Sequence, residues 1–209
     1  MSEPGKEGGT AAQIRIASPS DAEELQRIYA PYVENSAVTF ELEPPDAAEF
    51  GRRIETTLGR YPYLVAEADC RIAGYAYAGP FRTRAAYQHA AEVSIYLAPE
   101  MHGRGIGSLL YRELEALLRE QNVCVLYACV TVTEREDDEH LTDSSIRFHE
   151  KMNYRTVGTH HLCGTKFGKW YSVIWMEKEI AERHPFPEPF IPLPGDPAEG
   201  RTVRPALPG

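Results

Sequence analysis

No run of about 18 apolar residues occurs in this 209-residue chain, so no segment is suited to cross a membrane as a helix. Basic residues are outnumbered. The 22 Lys and Arg against 31 Asp and Glu leave a net charge of −9, which argues against nucleic acid as a partner, because binding phosphates needs clustered cations. The four cysteines, Cys70, Cys124, Cys129 and Cys163, contain no C-x-x-C pair and read as reduced thiols. The polar, glycine-rich start MSEPGKEGGTAAQ lacks the apolar core of a secretory leader. These absences together predict a cytoplasmic protein with no membrane partner. Metal ligation is equally unsupported. Residues 134–139 are acidic but lack the Asp-x-Asp-x-Asp-Gly spacing of a calcium loop, and read as a solvated loop. His160 and His161 are adjacent, and adjacent strand residues point to opposite faces, so they do not share an ion with Cys163.

Two common phosphate loops are also missing. No Gly-Lys-Ser/Thr ends a P-loop, and no complete G-x-G-x-x-G opens a βαβ unit. Residues 91–110 instead read AEVSIYLAPEMHGRGIGSLL. Val93–Leu97 alternates as a strand and Pro99 turns the chain. Gly103, Gly105 and Gly107 then form a loop, and Ser108–Gln121 has helical character. A strand, a glycine-rich loop and a helix start, in that order, make an anion site, since converging backbone N–H groups and the helix dipole both favour negative charge. The expected ligand is a phosphate-bearing cofactor.

The remaining periodicities predict one α/β domain over residues 13–183, within a disordered tail (1–12) and a proline-rich extension (184–209). Strands are expected at residues 14–16, 64–68, 72–78, 123–132 and 171–177, and an extended stretch at 38–42. Helices are expected from Asp21, capped by Ser18 or Ser20, and over 47–60 and 144–152. The apolar run 123–132 suits a strand buried on both faces. Asn153 stands where a left-handed residue ends a helix. The order fits a mixed, mostly antiparallel sheet. The extension holds eight of the sixteen prolines together with Phe186, Phe190, Ile191 and Leu193, which predicts an extended segment lying on the domain or on a partner subunit.

The loop His102-Gly103-Arg104-Gly105-Ile106-Gly107 resembles the Arg/Gln-x-x-Gly-x-Gly/Ala loop of the GCN5-related N-acetyltransferases, with His102 where that superfamily has Arg or Gln. Residues 14 to about 195 further resemble the phosphinothricin acetyltransferases. The stretches that carry this likeness are IRIASPSDAEELQRIY, YVENSAVTFELEPP, RYPYLVAEADCRIAGYAYAGPFRTRAAY, AEVSIYLAPEMHGRGIGSLLYRELE, SSIRFHEKMNY and TKFGKWYSVIWMEKEI. The resemblance implies the acetyltransferase fold, acetyl-CoA as co-substrate without a metal, and a homodimer. It also implies acetylation of the free amino group of phosphinothricin, methionine sulfoximine or a similar small amino acid. It places catalysis on Glu92 and His149. Acetyl-CoA contacts fall on Ile95, Tyr96, Leu97, on His102, Gly103, Arg104, Gly105, Ile106, Gly107 and Ser108, and on Thr142 and Ser145. Thr142 stands where the family often has Asn. Substrate contacts fall on Phe40, Phe81, Arg82, Arg84, Tyr87, Val93 and Ser94, with Arg82 or Arg84 suited to a substrate carboxylate.

The residues themselves point the same way. Acetyl transfer to an amine needs a group to take the amine proton and a group to stabilise the departing thiolate. Glu92, at the start of the cofactor strand, suits the first role, directly or through water. His149 has Ile146 and Met152 three residues to either side, which turns it inward and suits proton transfer. The sequence leaves two roles open for His149: donor to the thiolate, or part of a base relay with Glu92. It also leaves two other activities open. A peptide N-acetyltransferase would need an open groove, where the aromatic loop 79–90 predicts a closed pocket. A non-catalytic acetyl-CoA-binding module would have no use for both Glu92 and His149.

Overall fold

Short local signals start and stop most of the elements. Ser18 and Asp21 cap each other's backbone reciprocally across a single 3-10 turn at Pro19–Asp21, and α1 (Ala22–Asn35) follows directly. Asp46 accepts the Glu49 N–H at 2.7 Å and starts α2 (Ala47–Leu58). Asp69 and Cys70 both have positive φ, as a two-residue hairpin turn requires, and join β2 (Tyr63–Ala68) to β3 (Arg71–Pro80). β1 (Gln13–Ile16) precedes these elements; β4 (Ala90–Leu97), α3 (Ile106–Glu120), β5 (Val125–Val132), α4 (Ser144–Lys151), β6 (Arg155–Lys166) and β7 (Lys169–Glu179) follow. Asn153, at φ 66°, ends α4 as expected. The computed structural model describes residues 12–193.

The seven strands form one sheet in the order β1-β2-β3-β4-β5-β7-β6. Only β4 and β5 are parallel neighbours. Side-chain alternation assigns the two faces. Tyr75 of β3 and Tyr96 of β4 meet Phe50 of α2 and Tyr29 of α1 on one face. Ile95 and Leu97 of β4 approach Gly107 of α3 on the other, together with Phe148 of α4. α3 buries Ile106, Leu110, Leu114 and Leu118 at four-residue spacing against that second face. It also buries Glu115, whose carboxylate receives Lys178 of β7 at 2.7 and 2.8 Å.

Several expectations need correction. β6 was not among the expected strands. It is an edge strand, exposed along most of its length, so no apolar alternation marks its sequence. Residues 38–42, expected as an extended stretch, form a bent loop. β5 is not buried on both faces, because Cys129 is exposed where β4 has parted from it. The acidic loop is not wholly solvated either. Asp138 is buried, accepts hydrogen bonds from Tyr171, Thr133 and the His140 N–H, and lies 3.7 Å from Lys169. Ala12, placed in the tail, packs on the core, while residues 1–11 and 194–209 lie outside the described residues. The extension as far as Leu193 runs along its own domain. Phe190 packs on Tyr61 with the Arg60 guanidinium 4.4 Å from its ring, and the Ile191 and Leu193 N–H groups bond to Gln121 and Arg60. Among the described residues no helix is long and apolar enough to cross a membrane.

Breaking the Glu115–Lys178 pair from one side leaves a buried carboxylate with only Arg119, at 3.4 Å, in reach. Lys178→Met is expected to lower unfolding stability by about 3 kcal/mol, and Lys178→Met with Glu115→Leu to recover most of it. Urea titration of both variants checks this.

Candidate active site

Strands β4 and β5 pair only over Ala90↔Val125, Ala91↔Leu126 and Glu92↔Tyr127. Beyond that point β4 stays with β3 as far as Leu97, and β5 stays with β7 as far as Val132. The two strands therefore part, and β4 shows an unpaired backbone edge to the space between them. A cavity of about 60 Å³ occupies the gap. It is walled by Val93, Ser94, Ile95 and Tyr96 of β4, Ala128 to Thr131 of β5, and Tyr111, Ser145 and His149. A second cavity, of about 260 Å³, lies toward the glycine loop, lined by Tyr32, Leu97, His102, Gly103, Ser144 and Phe148. Val38, Ile95 and Ser145 wall both cavities.

The loop has the features of an anion site. Gly105 precedes α3 at φ 81° and Gly103 stands at φ 73°, a region that side chains with a Cβ adopt at a cost. No side chain caps α3, and no acidic residue occupies its first turn, so its leading N–H groups face outward with the positive end of the helix dipole. Gly107 lets the helix start settle onto Phe148 and Ile95; a Cβ there would stand 3.1 Å from the Phe148 ring. His102 helps fix the loop. The Tyr32 hydroxyl donates to the Leu97 carbonyl at 2.6 Å, so at 3.0 Å it can only accept from His102 Nε2.

His149 is turned inward and buried, as its neighbours predict. Its Nδ1 lies 2.8 Å from the Ser145 carbonyl, which can only accept, so Nδ1 carries the proton. Nε2 then accepts from the Tyr111 hydroxyl at 3.0 Å. Burial lowers the His149 pKa, with the Ser145 bond acting weakly against it, and the ring is held neutral. Tyr111 is fully buried and its own pKa is pushed far up by desolvation. Sequence reading missed Tyr111. It stands beside Leu110 and Leu114 of the apolar stripe of α3, and so looks like core.

Glu92 shares its face with Tyr96, the face opposite to α3 and α4. The structure thus sets Glu92 and His149 on opposite sides of β4. Glu92 stands at the last paired residue before the gap. Burial raises its pKa, and the Arg82 guanidinium partly offsets this. Arg82 lies over Phe81 at 4.2 Å and near Trp175 at 5.4 Å, and Phe81 is stacked on Tyr127, the register partner of Glu92. The other expected substrate residues spread out. Tyr87 touches Phe81 edge-on but lines a separate cavity with His89 and Arg183. Arg84 is exposed. Phe40 packs on Tyr171 and over Gly164, which a Cβ at that glycine would strike.

Among the expected cofactor residues, Ile95, Leu97, His102, Gly103 and Ser145 line the larger cavity and Tyr96 the gap. Arg104 turns away to pair with Asp69 at 2.8 Å. Ile106 is core, and Ser108 is half-buried in the first turn of α3. Thr142 bonds to Ser144 and lines a different cavity beside the acidic loop.

Residues 14–175 match the model of the acetyltransferase (GNAT) domain. Over 181 residues the chain is 32% identical to the phosphinothricin N-acetyltransferase of Streptomyces viridochromogenes, covering 87% of this chain and 94% of that protein. It is 29% identical to an L-amino acid N-acyltransferase of Escherichia coli, covering 81% and 95%. Among solved structures it is similar to a GNAT superfamily phosphinothricin acetyltransferase from Sinorhizobium meliloti in complex with AcCoA. That similarity has a TM-score of 0.73 at 33% identity, over 81% of this chain and 89% of that one.

Gly105→Val forces a β-branched residue into the left-handed region and moves the loop amides. Calorimetric titration is expected to show at least tenfold weaker binding of acetyl-CoA.

Proposed function

The chain belongs to the GNAT acetyltransferase family, and from that premise we propose that it transfers the acetyl group of acetyl-CoA to the free amino group of a small amino acid or analogue such as phosphinothricin. The observation that carries this reading is the gap between β4 and β5, with Glu92 at its closed end and the uncapped start of α3 beyond its open end. The residues present fit acetyl-CoA. The Gly103–Ser108 segment offers backbone donors to a pyrophosphate, and the unpaired edge of β4 offers amides to an extended arm in the 260 Å³ cavity. Bound there, acetyl-CoA supplies an activated thioester.

Each side of β4 then has its own task. Glu92, with its raised pKa, accepts the proton that the attacking amine gives up, directly or through one water. Arg82, on the same face, is placed to receive the acceptor's carboxylate. On the other face His149 is a positioning residue. Both ring nitrogens are engaged, and Nε2 holds the Tyr111 hydroxyl in the wall of the gap. The Tyr111 proton is engaged by Nε2, so Tyr111 donates to the departing sulfur only by turning its O–H away from His149, and its high pKa suits hydrogen bonding rather than complete proton transfer.

A homodimer is supported by the exposed β6–β7 hairpin. It presents an unpaired strand edge with Val157, Leu162, Phe167 and Trp170 exposed around it, a surface that a second copy would cover. A cytoplasmic location is supported by the thiols of Cys70, Cys129 and Cys163, all free and exposed.

Glu92→Gln is expected to lower kcat by about 10²-fold or more and to abolish the acid limb of the kcat–pH profile. In the native enzyme that limb lies above the ordinary carboxylate range, because the base must be ionised and burial raises its pKa. Arg82→Ala removes a cation that lowers the Glu92 pKa, so the limb moves to higher pH. A limb that stays in place in Arg82→Ala, or persists in Glu92→Gln, assigns the base elsewhere. For the dimer, light scattering is expected to give twice the chain mass for the native protein and the single mass for Leu162→Lys with Trp170→Glu.

A further inference from the structure

On the face that carries Glu92, α2 and strands β2 to β4 enclose a cavity of about 450 Å³, far larger than the gap itself. Its walls are six aromatic rings, with Thr56, Thr57 and the charged Glu49, Arg52 and Arg53 of α2 completing them. Tyr63, Tyr75 and Tyr77 stand as a stacked tier across β2 and β3, with Tyr63 5.7 Å from Tyr75 and 4.8 Å from Tyr77. Phe50 meets Tyr75 edge-on, and Tyr29 meets Tyr96 edge-on. The Tyr63 side chain is almost wholly buried, so its ring is fixed as one wall of the chamber.

Two contacts tie this chamber to the reaction. Tyr96 walls both the chamber and the gap. Tyr77 bonds to Ser94, which lines the gap, and lies within electrostatic reach of Glu92. A molecule whose side chain fills the chamber meets the gap at Tyr96 and Ser94, on the face of β4 that also carries Glu92. Charge at the chamber mouth is balanced. Arg53 is tied to Glu41 at 2.7 Å and Glu49 at 2.9 Å, and Arg52 to Glu49 at 2.6 Å. Neither an anionic nor a cationic side chain gains a free counter-ion there. A planar apolar one gains ring contacts on several sides. A glutamate-like side chain would leave most of the volume unfilled and set its charge against aromatic walls.

We propose that this chamber receives the acceptor's side chain, and that the preferred acceptor is an amino acid with an aromatic side chain. The inference rests on the reading of the chain as an amino-acid N-acetyltransferase. The test compares kcat/KM at saturating acetyl-CoA for L-phenylalanine and L-tryptophan against phosphinothricin and methionine sulfone. It uses the native enzyme and Thr57→Trp, which fills the chamber from α2. The native enzyme is expected to favour the aromatic acceptors at least tenfold, and Thr57→Trp to reduce that ratio at least tenfold, mainly through KM. Thr56→Trp, entering from the neighbouring position, serves if Thr57→Trp fails to fold. A native preference for the aliphatic acceptors, or a ratio that neither variant moves, overturns the proposal. If no acceptor of either class is acetylated while acetyl-CoA still binds, the amino-acid reading fails. The chamber is then judged by saturation-transfer NMR with L-phenylalanine: binding to the native protein but not to the variant supports it, and no binding to either overturns it.

Discussion

The candidate site depends on the loss of hydrogen bonding between two neighbouring strands. β4 and β5 are the only parallel pair in the sheet, and they stay together for three residue pairs before separating. Parallel neighbours need a crossover connection, here α3, and that crossover sets the glycine loop and the helix start at the end of β4. An unpaired strand edge inside a protein is costly unless something satisfies its amides. The same break that opens the cavity thus leaves backbone donors and acceptors of the kind that suit an extended, amide-bearing ligand. β3 and β7 hold the outer sides of the two strands in long antiparallel ladders, so the gap does not close by collapse.

The gap also divides the chemistry between two faces. Burial acts on both faces and in each case favours the neutral form of the titrating group. It raises the pKa of Glu92 on one side and lowers that of His149 on the other. For a carboxylate this makes a stronger base. For an imidazole it makes a neutral ring, whose two nitrogens are then free to bridge a carbonyl and a hydroxyl. In the proposed mechanism that one physical cause supplies both a proton acceptor for the amine and a fixed hydrogen-bond network on the opposite face.

Much of this was legible in the chain. The alternation of residues 93–97, the glycines that follow and the amphipathic stripe of α3 made the strand, glycine loop and helix legible, because each rests on local geometry. The inward turn of His149 followed from Ile146 and Met152 for the same reason. What stayed hidden depends on contacts distant in sequence. β6 carries no apolar alternation, because as an edge strand it buries almost nothing. Asp138 looked like one acid in a solvated run, and only the arrival of Tyr171 and Lys169 from the last hairpin makes it an anchor. His149 stayed open between donor to the thiolate and relay partner of Glu92, since sequence does not tell which face of a strand a helix will cover. Tyr111 read as core, because its hydroxyl becomes chemical only when α4 brings a histidine to it.

The aromatic face illustrates the same limit at larger scale. Tyr63, Tyr75, Tyr77 and Tyr96 are odd- and even-numbered residues on three strands, and nothing in their spacing joins them. Antiparallel register does so, pairing Tyr63 with Tyr77 and Tyr75 with Tyr96 on one face. Large rings on neighbouring strands cannot all be covered by one short helix, and α2 contributes only Phe50, Ile54 and Leu58 as buried side chains. A sheet face that carries more aromatic volume than its covering helix can fill must leave a chamber. Here the chamber shares the Tyr96 ring with the gap, so surplus volume in the core becomes a pocket beside the proposed reacting centre.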